Sequence, residues 1–362
     1  MYSEAEIDDA VTAGVLSAAS AESFRGFVAL RRATPAADEE QFRLITGFND
    51  IFVAIAIVLL LVAMWQVGDA LWSPLSALAI AATSWGLAEY FTRVRRMALP
   101  SILLLLAFAG GVAGFVGMAL FIGLEAIGAV DAQPQVVLEG APRAVSYERL
   151  QAGLGAITAA LTVGATWLHW RRFHVPITIA AGAAAVVAVA VSIVVAIMPS
   201  VMSVAWAALL VGGLGVFAFA MRWDLSDRER RTRRADVAFW LHLAAAPMIA
   251  HSLFNLLGVF EGDMGVGTAA VVLILYVAFA VVALATDRRA LLVSGLAYVL
   301  YAMAAIIRQS GAVELSAALT ALVIGSALLS LSAFWQTMRQ PIVAGLGAWG
   351  QRLPPAIPRP AS

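Results

Sequence analysis

Ten apolar stretches, each about as long as the ~20 residues a helix needs to cross a bilayer, run through the chain between Ile51 and Phe334. They are joined by connectors that alternate between arginine-rich and arginine-poor. The stretches span residues 51–68, 71–91, 100–122, 151–168, 176–198, 201–221, 237–257, 266–285, 290–307 and 314–334. In hydrocarbon a backbone must satisfy its own hydrogen bonds, which leaves helices or closed barrels. Runs this long and this apolar, in a chain whose composition is 62% hydrophobic, predict an all-α, polytopic transmembrane helix bundle of about ten spans.

Orientation follows from the cationic residues, because arginines close to spans stay on the cytoplasmic side. The chain has no lysine, and all 23 basic residues are arginine. With the N-terminus placed inside, 20 arginines fall on inner segments and only Arg143, Arg149 and Arg308 fall on outer ones. This asymmetry predicts that both termini are cytoplasmic. Net charge is zero, so no global field recruits nucleic acid. The absence of cysteine excludes disulfides and thiolate chemistry. The acidic start, Met-Tyr-Ser-Glu, has no early apolar run and does not read as a cleavable signal peptide. A lysine-free chain rich in Ala, Val and Arg points to a GC-rich bacterial genome and a bacterial plasma membrane.

Three regions are expected: residues 1–46 as a cytoplasmic N-terminal helical hairpin, 47–338 as the transmembrane bundle, and 339–362 as a cytoplasmic tail, disordered towards its proline-rich end. In the hairpin, Ser3 and Glu6 have capping-box spacing, Gly14 offers a stop, and Ser17 or Ser20 starts a second helix. Apolar stripes at Ile7, Val11 and Val15 and at Phe24, Phe27 and Val28 face each other, the bundle or a protein partner. Eight acidic residues against three arginines in residues 1–40 argue against a phosphate backbone as that partner.

Within the bundle, Arg95-Arg96-Met97-Ala98-Leu99-Pro100 and Arg171-Arg172-Phe173-His174-Val175-Pro176 share one pattern. It reads either as topology signalling with proline in a first helical turn or as a trace of duplicated hairpins. The outer connector 131–148 suggests a small β-hairpin. The inner connector 222–236 has Ser226 and Glu229 at capping-box spacing. Its Arg228, Arg230, Arg231, Arg233 and Arg234 suit either plain topology signalling or anionic headgroups beneath a short amphipathic helix.

Polar groups deep in lipid are costly and are the first place to seek function. The seventh span holds His242, Pro247, His251, Ser252 and Asn255. His251 and Asn255 lie 40° apart on one helical face at about 100° per residue, with Ser252 beside them. Pro247 frees a carbonyl and predicts a kink. His242 is nine residues from His251 and falls on the other side. The candidate solute or proton site is therefore His251, Asn255, Ser252 and His242, with Tyr276, Tyr298 and Tyr301 as further partners; interhelical hydrogen bonding is the alternative role. Glu89 is the carboxylate well inside a span and is also a candidate titrating group, although Arg93 at i+4 makes a local ion pair the competing reading. Asn49-Asp50 reads as a helix cap. His169 and His174 flank Arg171-Arg172 without a carboxylate cluster, so neither a metal nor a cofactor is expected. Gly110, Gly114 and Gly117 predict close backbone packing in the third span, and Gly212, Gly213 and Gly215 do so in the sixth. No Walker loop, HExxH or GxSxG elbow is present, so no enzymatic activity is indicated.

The Ile7–Val15 and Phe24–Val28 stripes, leading to Gly47-Phe48-Asn49-Asp50-Ile51-Phe52 at the first span, resemble uncharacterised bacterial predicted membrane proteins of the domain-of-unknown-function kind. That resemblance implies a short helical segment followed by about ten spans and no particular activity. The residues themselves favour a small-solute carrier, with proton coupling, over a membrane scaffold or sensor acting through the hairpin. An intramembrane enzyme ranks last.

Overall fold

The computed structural model describes residues 4–32, 48–127, 147–199, 202–228, 230, 232–259, 265–309 and 316–354. Among them every regular element is helical, as a chain that must satisfy its backbone in lipid requires. Helices α1 (Glu4–Thr12) and α2 (Ala18–Arg32) belong to a unit of their own. Gly14 ends α1 with φ +69°, and the Ser20 amide donates to Ser17 Oγ at 3.0 Å, so Ser17 caps α2. Ser3 of the expected capping box lies outside the described residues.

The bundle is built from α3 (Phe48–Leu71), α4 (Ser73–Ala88), α5 (Ala98–Ala126), α6 (Tyr147–Phe173), α7 (Ile177–Ile197), α8 (Met202–Ser226), α9 (Arg233–Leu256), α10 (Val266–Thr286), α11 (Ala290–Gln309) and α12 (Ser316–Ala333), followed by α13 (Trp335–Gly345). Each of the ten expected spans falls on one of α3 to α12. Eight of these helices are long and apolar enough to cross a membrane on their own, or nine spans if α12 and α13, bent by 73° at Phe334, count as one. Helix α4 has 16 residues and runs straight into a π-helical segment, Glu89–Val94, whose wide turn closes with Arg95 N donating to Tyr90 O at 2.9 Å. The β-hairpin expected in 131–148 lies outside the described residues up to Ser146, and Tyr147 already opens α6.

Among the described residues successive helices from α3 to α9 and from α10 to α12 pack side by side, and α9 joins the two runs through α11 while also contacting α7 and α8. Of its most apolar window 56% is buried, against 11–39% for the other spans. Its inward face explains this: Ala238, Ala245, Ala246 and Ala250 are buried small residues that let neighbouring helices approach closely. Pro247 lies inside α9, which runs through it.

Glycines set the other close approaches. A Cβ on Gly111 would stand 2.8 Å from both Ala77 O and Ala81 N of α4, and one on Gly114 would stand 3.1 Å from Ala77 Cβ. A Cβ on Gly110 would meet nothing within 4 Å, and one on Gly117 only the Thr158 side chain at 3.7 Å. The seam expected on Gly110, Gly114 and Gly117 is therefore centred on Gly111 and Gly114, because α4 crosses α5 one residue around from the face that the GxxxG spacing marks. In the sixth span Gly212 abuts Val187 and Gly213 abuts Met248 and Ile249, while Gly215 faces open space.

The structure revises three further expectations. The two Arg-Arg-apolar-x-apolar-Pro segments differ in register: the left-handed residue is Arg96 (φ 53°) in one and His174 (φ 52°) in the other, four and two residues before the proline respectively. The connector 222–236 contains no separate helix among its described residues; α8 simply extends to Ser226, whose hydroxyl donates to Trp223 O at 2.7 Å, and Thr232 caps α9. Residues 339–354, expected to be tail, are folded onto the bundle, with Trp335 and Arg339 buried. Their anchors are polar groups on distant helices, which no local pattern reveals.

Replacing Gly111 by alanine is expected to cost about 1–3 kcal/mol of stability through overpacking against a rigid backbone, whereas Gly110→Ala stays within about 0.5 kcal/mol. Thermal unfolding of the purified protein in detergent separates the two; equal shifts would contradict the seam.

Candidate functional site

Polar side chains gather in two layers along α9, one at each end. At the arginine-rich end the centre is Asp224, near the end of α8, with a side chain 1% exposed. Its Oδ2 receives His242 Nε2 of α9 at 2.8 Å. Arg288, from the connector between α10 and α11, donates through Nη2 to Oδ1 at 2.5 Å and through Nε to Oδ2 at 3.2 Å. A bidentate guanidinium fixes both the charge and the plane of the carboxylate, so the acceptor facing His242 is a carboxylate oxygen and Nε2 carries the proton. His242 Nδ1, on the far side of a ring that is 1% exposed, has no partner among the described residues, and Phe217 closes that neighbourhood edge-on at 5.0 Å.

A second carboxylate lies one residue before Arg288. Asp287 adopts the left-handed conformation (φ 58°) that ends α10, which a short polar side chain tolerates. Arg230 Nη1 donates to its Oδ2 at 2.8 Å and Trp335 Nε1 to its Oδ1 at 2.7 Å. Arg339 Nε donates to Leu284 O at 2.9 Å, and Nη2 to Pro354 O at 2.6 Å. Arg289 lies over the Trp335 ring at 4.7 Å, and Arg228 donates to the carbonyls of Gln351 and Leu353. The C-terminal segment is thus held to the bundle by guanidinium groups. Of the five arginines expected at headgroups, Arg228 and Arg230 hold protein groups, Arg231 lies outside the described residues, and Arg233 and Arg234 are exposed.

At the arginine-poor end, Met202, Ser203 and Trp206 of α8 and Asn255, Leu256, Leu257 and Gly258 at the end of α9 line a cavity of about 350 Å³. Gly258, at φ +66°, allows the Gly258 N to Asn255 O (3.0 Å) and Val259 N to Phe254 O (3.1 Å) bonds that close the helix. His251 stands beside the cavity: its Nδ1 and Tyr298 OH are 2.5 Å apart, and its ring meets Trp206 edge to face at 5.1 Å. Asn255 Nδ2 donates to His251 O at 2.8 Å.

The structure therefore distributes the predicted site residues. His251 and Asn255 come together. Ser252 is fully buried and donates to Met248 O and Ile249 O within its own helix, since the next residue on a helix turns about 100° away. His242 sits about 13 Å along the axis from His251, nine residues at ~1.5 Å each. Glu89 lies elsewhere, among α4, α5 and α6: besides Arg93 at 3.3 Å it takes a bidentate pair from Arg172 at 2.7 and 2.9 Å. The local pair is thus part of an interhelical bridge. Among the tyrosines, Tyr298 reaches His251, Tyr276 OH is buried without a partner among the described residues, and Tyr301 is exposed. His169 is enclosed by Trp85, Phe108 and Phe173 and lies 3.2 Å from Thr178 Oγ1.

Asp224, Arg288, Asp287, Trp335 and Arg339 were not singled out from the sequence, and Arg230 only as a headgroup contact. The available signal was the presence of Asp224 and Asp287 among arginines in connectors that the topology places at the same end; acidic residues there suggest cross-connector pairing. No family model, curated protein or solved structure matches this chain.

Removing one partner of a buried ion pair strands the other, so Asp224→Ala is expected to cost about 3–5 kcal/mol. The double variant Asp224→Leu/Arg288→Met is expected to lose much less than the sum of its single changes. A double-mutant cycle on unfolding in detergent measures the coupling; additive losses would mean the pair is not coupled.

Proposed function

We propose that the protein is a multi-pass carrier for a small solute, coupled to protons, in which Asp224, His242 and Arg288 form the proton-handling centre and the cavity beside His251 and Asn255 receives the solute. The observation that supports this reading is the buried His242, held by Asp224 through Nε2 and carrying a second ring nitrogen with no partner among the described residues. A neutral imidazole in this setting offers a lone pair to a proton. Asp224 and Arg288 already balance each other, so a proton taken at Nδ1 adds uncompensated charge to a dry site, weakens the hold of Arg288 on the carboxylate, and favours a rearranged end of α8 and α9. Because α9 spans both polar layers, movement at one end reaches the solute cavity at the other. The arginine asymmetry argues for a proton centre on the cytoplasmic side, and the lysine-free composition suits a bacterial plasma membrane.

Reconstitution into liposomes with an internal pH dye, challenged with a panel of small solutes, tests this. A solute is expected to drive proton movement through the wild type. His242→Gln, whose amide can still donate to Asp224 but cannot titrate, is expected to reduce that movement at least tenfold while remaining folded. Proton flux in His242→Gln equal to the wild type, or no solute-driven flux at all, would sink the proposal.

A further inference from the structure

We infer that the cavity at the arginine-poor end selects a small organic ammonium ion. The proposal rests on the carrier reading only for the role of that ion as cargo; binding is argued from the cavity itself.

The lining side chains are all neutral, so nothing there is fixed to balance an anion. No arginine occurs in 198–221 or 235–265, the two segments that contribute the walls, although the chain holds 23. The polar contacts lean towards acceptors. Asn255 commits its Nδ2 to His251 O, which leaves its Oδ1 as the group available to a ligand, and the Ser203 hydroxyl can accept as well as donate. Asn255, Leu256 and Leu257 also form the C-terminal end of α9, the negative pole of its dipole. Trp206 lines the cavity, and indole is the strongest aromatic partner for a cation. It is positioned through a relay across three helices, with Tyr298 of α11 holding His251 of α9 at 2.5 Å and the His251 ring bracing Trp206 of α8 edge to face.

Size and softness narrow the class. A hard metal ion asks for six or more oxygen ligands, which one amide and one hydroxyl do not provide. At about 350 Å³, the space is at the lower end of small-molecule pockets and far exceeds a bare inorganic cation. Met202, Leu256 and Leu257 offer apolar walls to alkyl groups, which favours a quaternary ammonium, with no N–H to hydrate, over a strongly hydrated primary one. The first turn of α8 also borders the cavity, so a zwitterion that presents an ammonium group remains within the class.

The test uses full-length protein in detergent and compares choline with 3,3-dimethylbutan-1-ol, its uncharged isostere, by calorimetric titration. Glycine betaine and acetate extend the comparison to a zwitterion and an anion. Choline is expected to bind at least tenfold more tightly than the isostere, and acetate not to bind. Trp206→Leu and Asn255→Leu are each expected to weaken choline at least tenfold. Trp206→Phe, which keeps a ring with a weaker face and preserves packing, is expected to weaken it severalfold. Equal binding of the isostere, preference for acetate, absence of choline binding, or variants that bind choline as the wild type does would each overturn the inference. Choline bound without solute-driven flux would end the carrier reading and leave the site standing. Proton-linked solute flux in protein that does not bind choline would do the reverse.

Discussion

A carboxylate with almost no exposed surface cannot keep its charge without partners, and Asp224 finds them on two other parts of the bundle. Arg288 comes from the connector between α10 and α11, and His242 from the third turn of α9. Ion and hydrogen-bond geometry thereby fixes where the ends of α8, α9 and α10 lie relative to one another, which apolar packing in lipid does only loosely because lipid tails are as apolar as leucine. Asp287, one residue before Arg288, continues the network to Arg230 and Trp335 and so determines where α13 turns. Desolvation makes such a cluster a weak source of stability; its contribution here is the unique arrangement of the helix ends.

The position of α9 follows from the same economy of surface. Its alanines allow close contact with α7, α8 and α11, and of the polar residues past its first turn His242 and Ser252 are enclosed while Asn255 lines a cavity. A single helix carries His242 near one end and Asn255 near the other. This geometry gives the proposed coupling a physical route through one element with two ends.

Much of the fold was legible in the sequence, and the site was legible in part. Runs such as Ile51–Gly68 and Ile177–Ile197 declare their helices because length and apolarity are local properties. The angular argument joined His251 to Asn255 correctly in space, and it separated His242 from both. The same argument put Ser252 beside them, yet a neighbouring residue on a helix can face the core and satisfy its hydroxyl on its own backbone, as Ser252 does. Asp224 was invisible as a site residue because its partners stand 18 and 64 residues away, on other helices. The glycine seam slipped by one residue, to Gly111, since the face a helix presents depends on the partner that crosses it.

What the sequence determined by itself is therefore the class of object: an all-α membrane bundle whose arginines alternate from connector to connector, with polar residues concentrated on the seventh span. Hydropathy and helical periodicity are properties of short segments, and they survive without knowledge of any contact. Which carboxylate meets which guanidinium, which face of α5 receives α4, and that residues 335–354 return to the bundle were decided only by the tertiary structure. Those outcomes depend on charges and small residues from distant segments arriving within about 3 Å of each other, the range over which hydrogen bonds act.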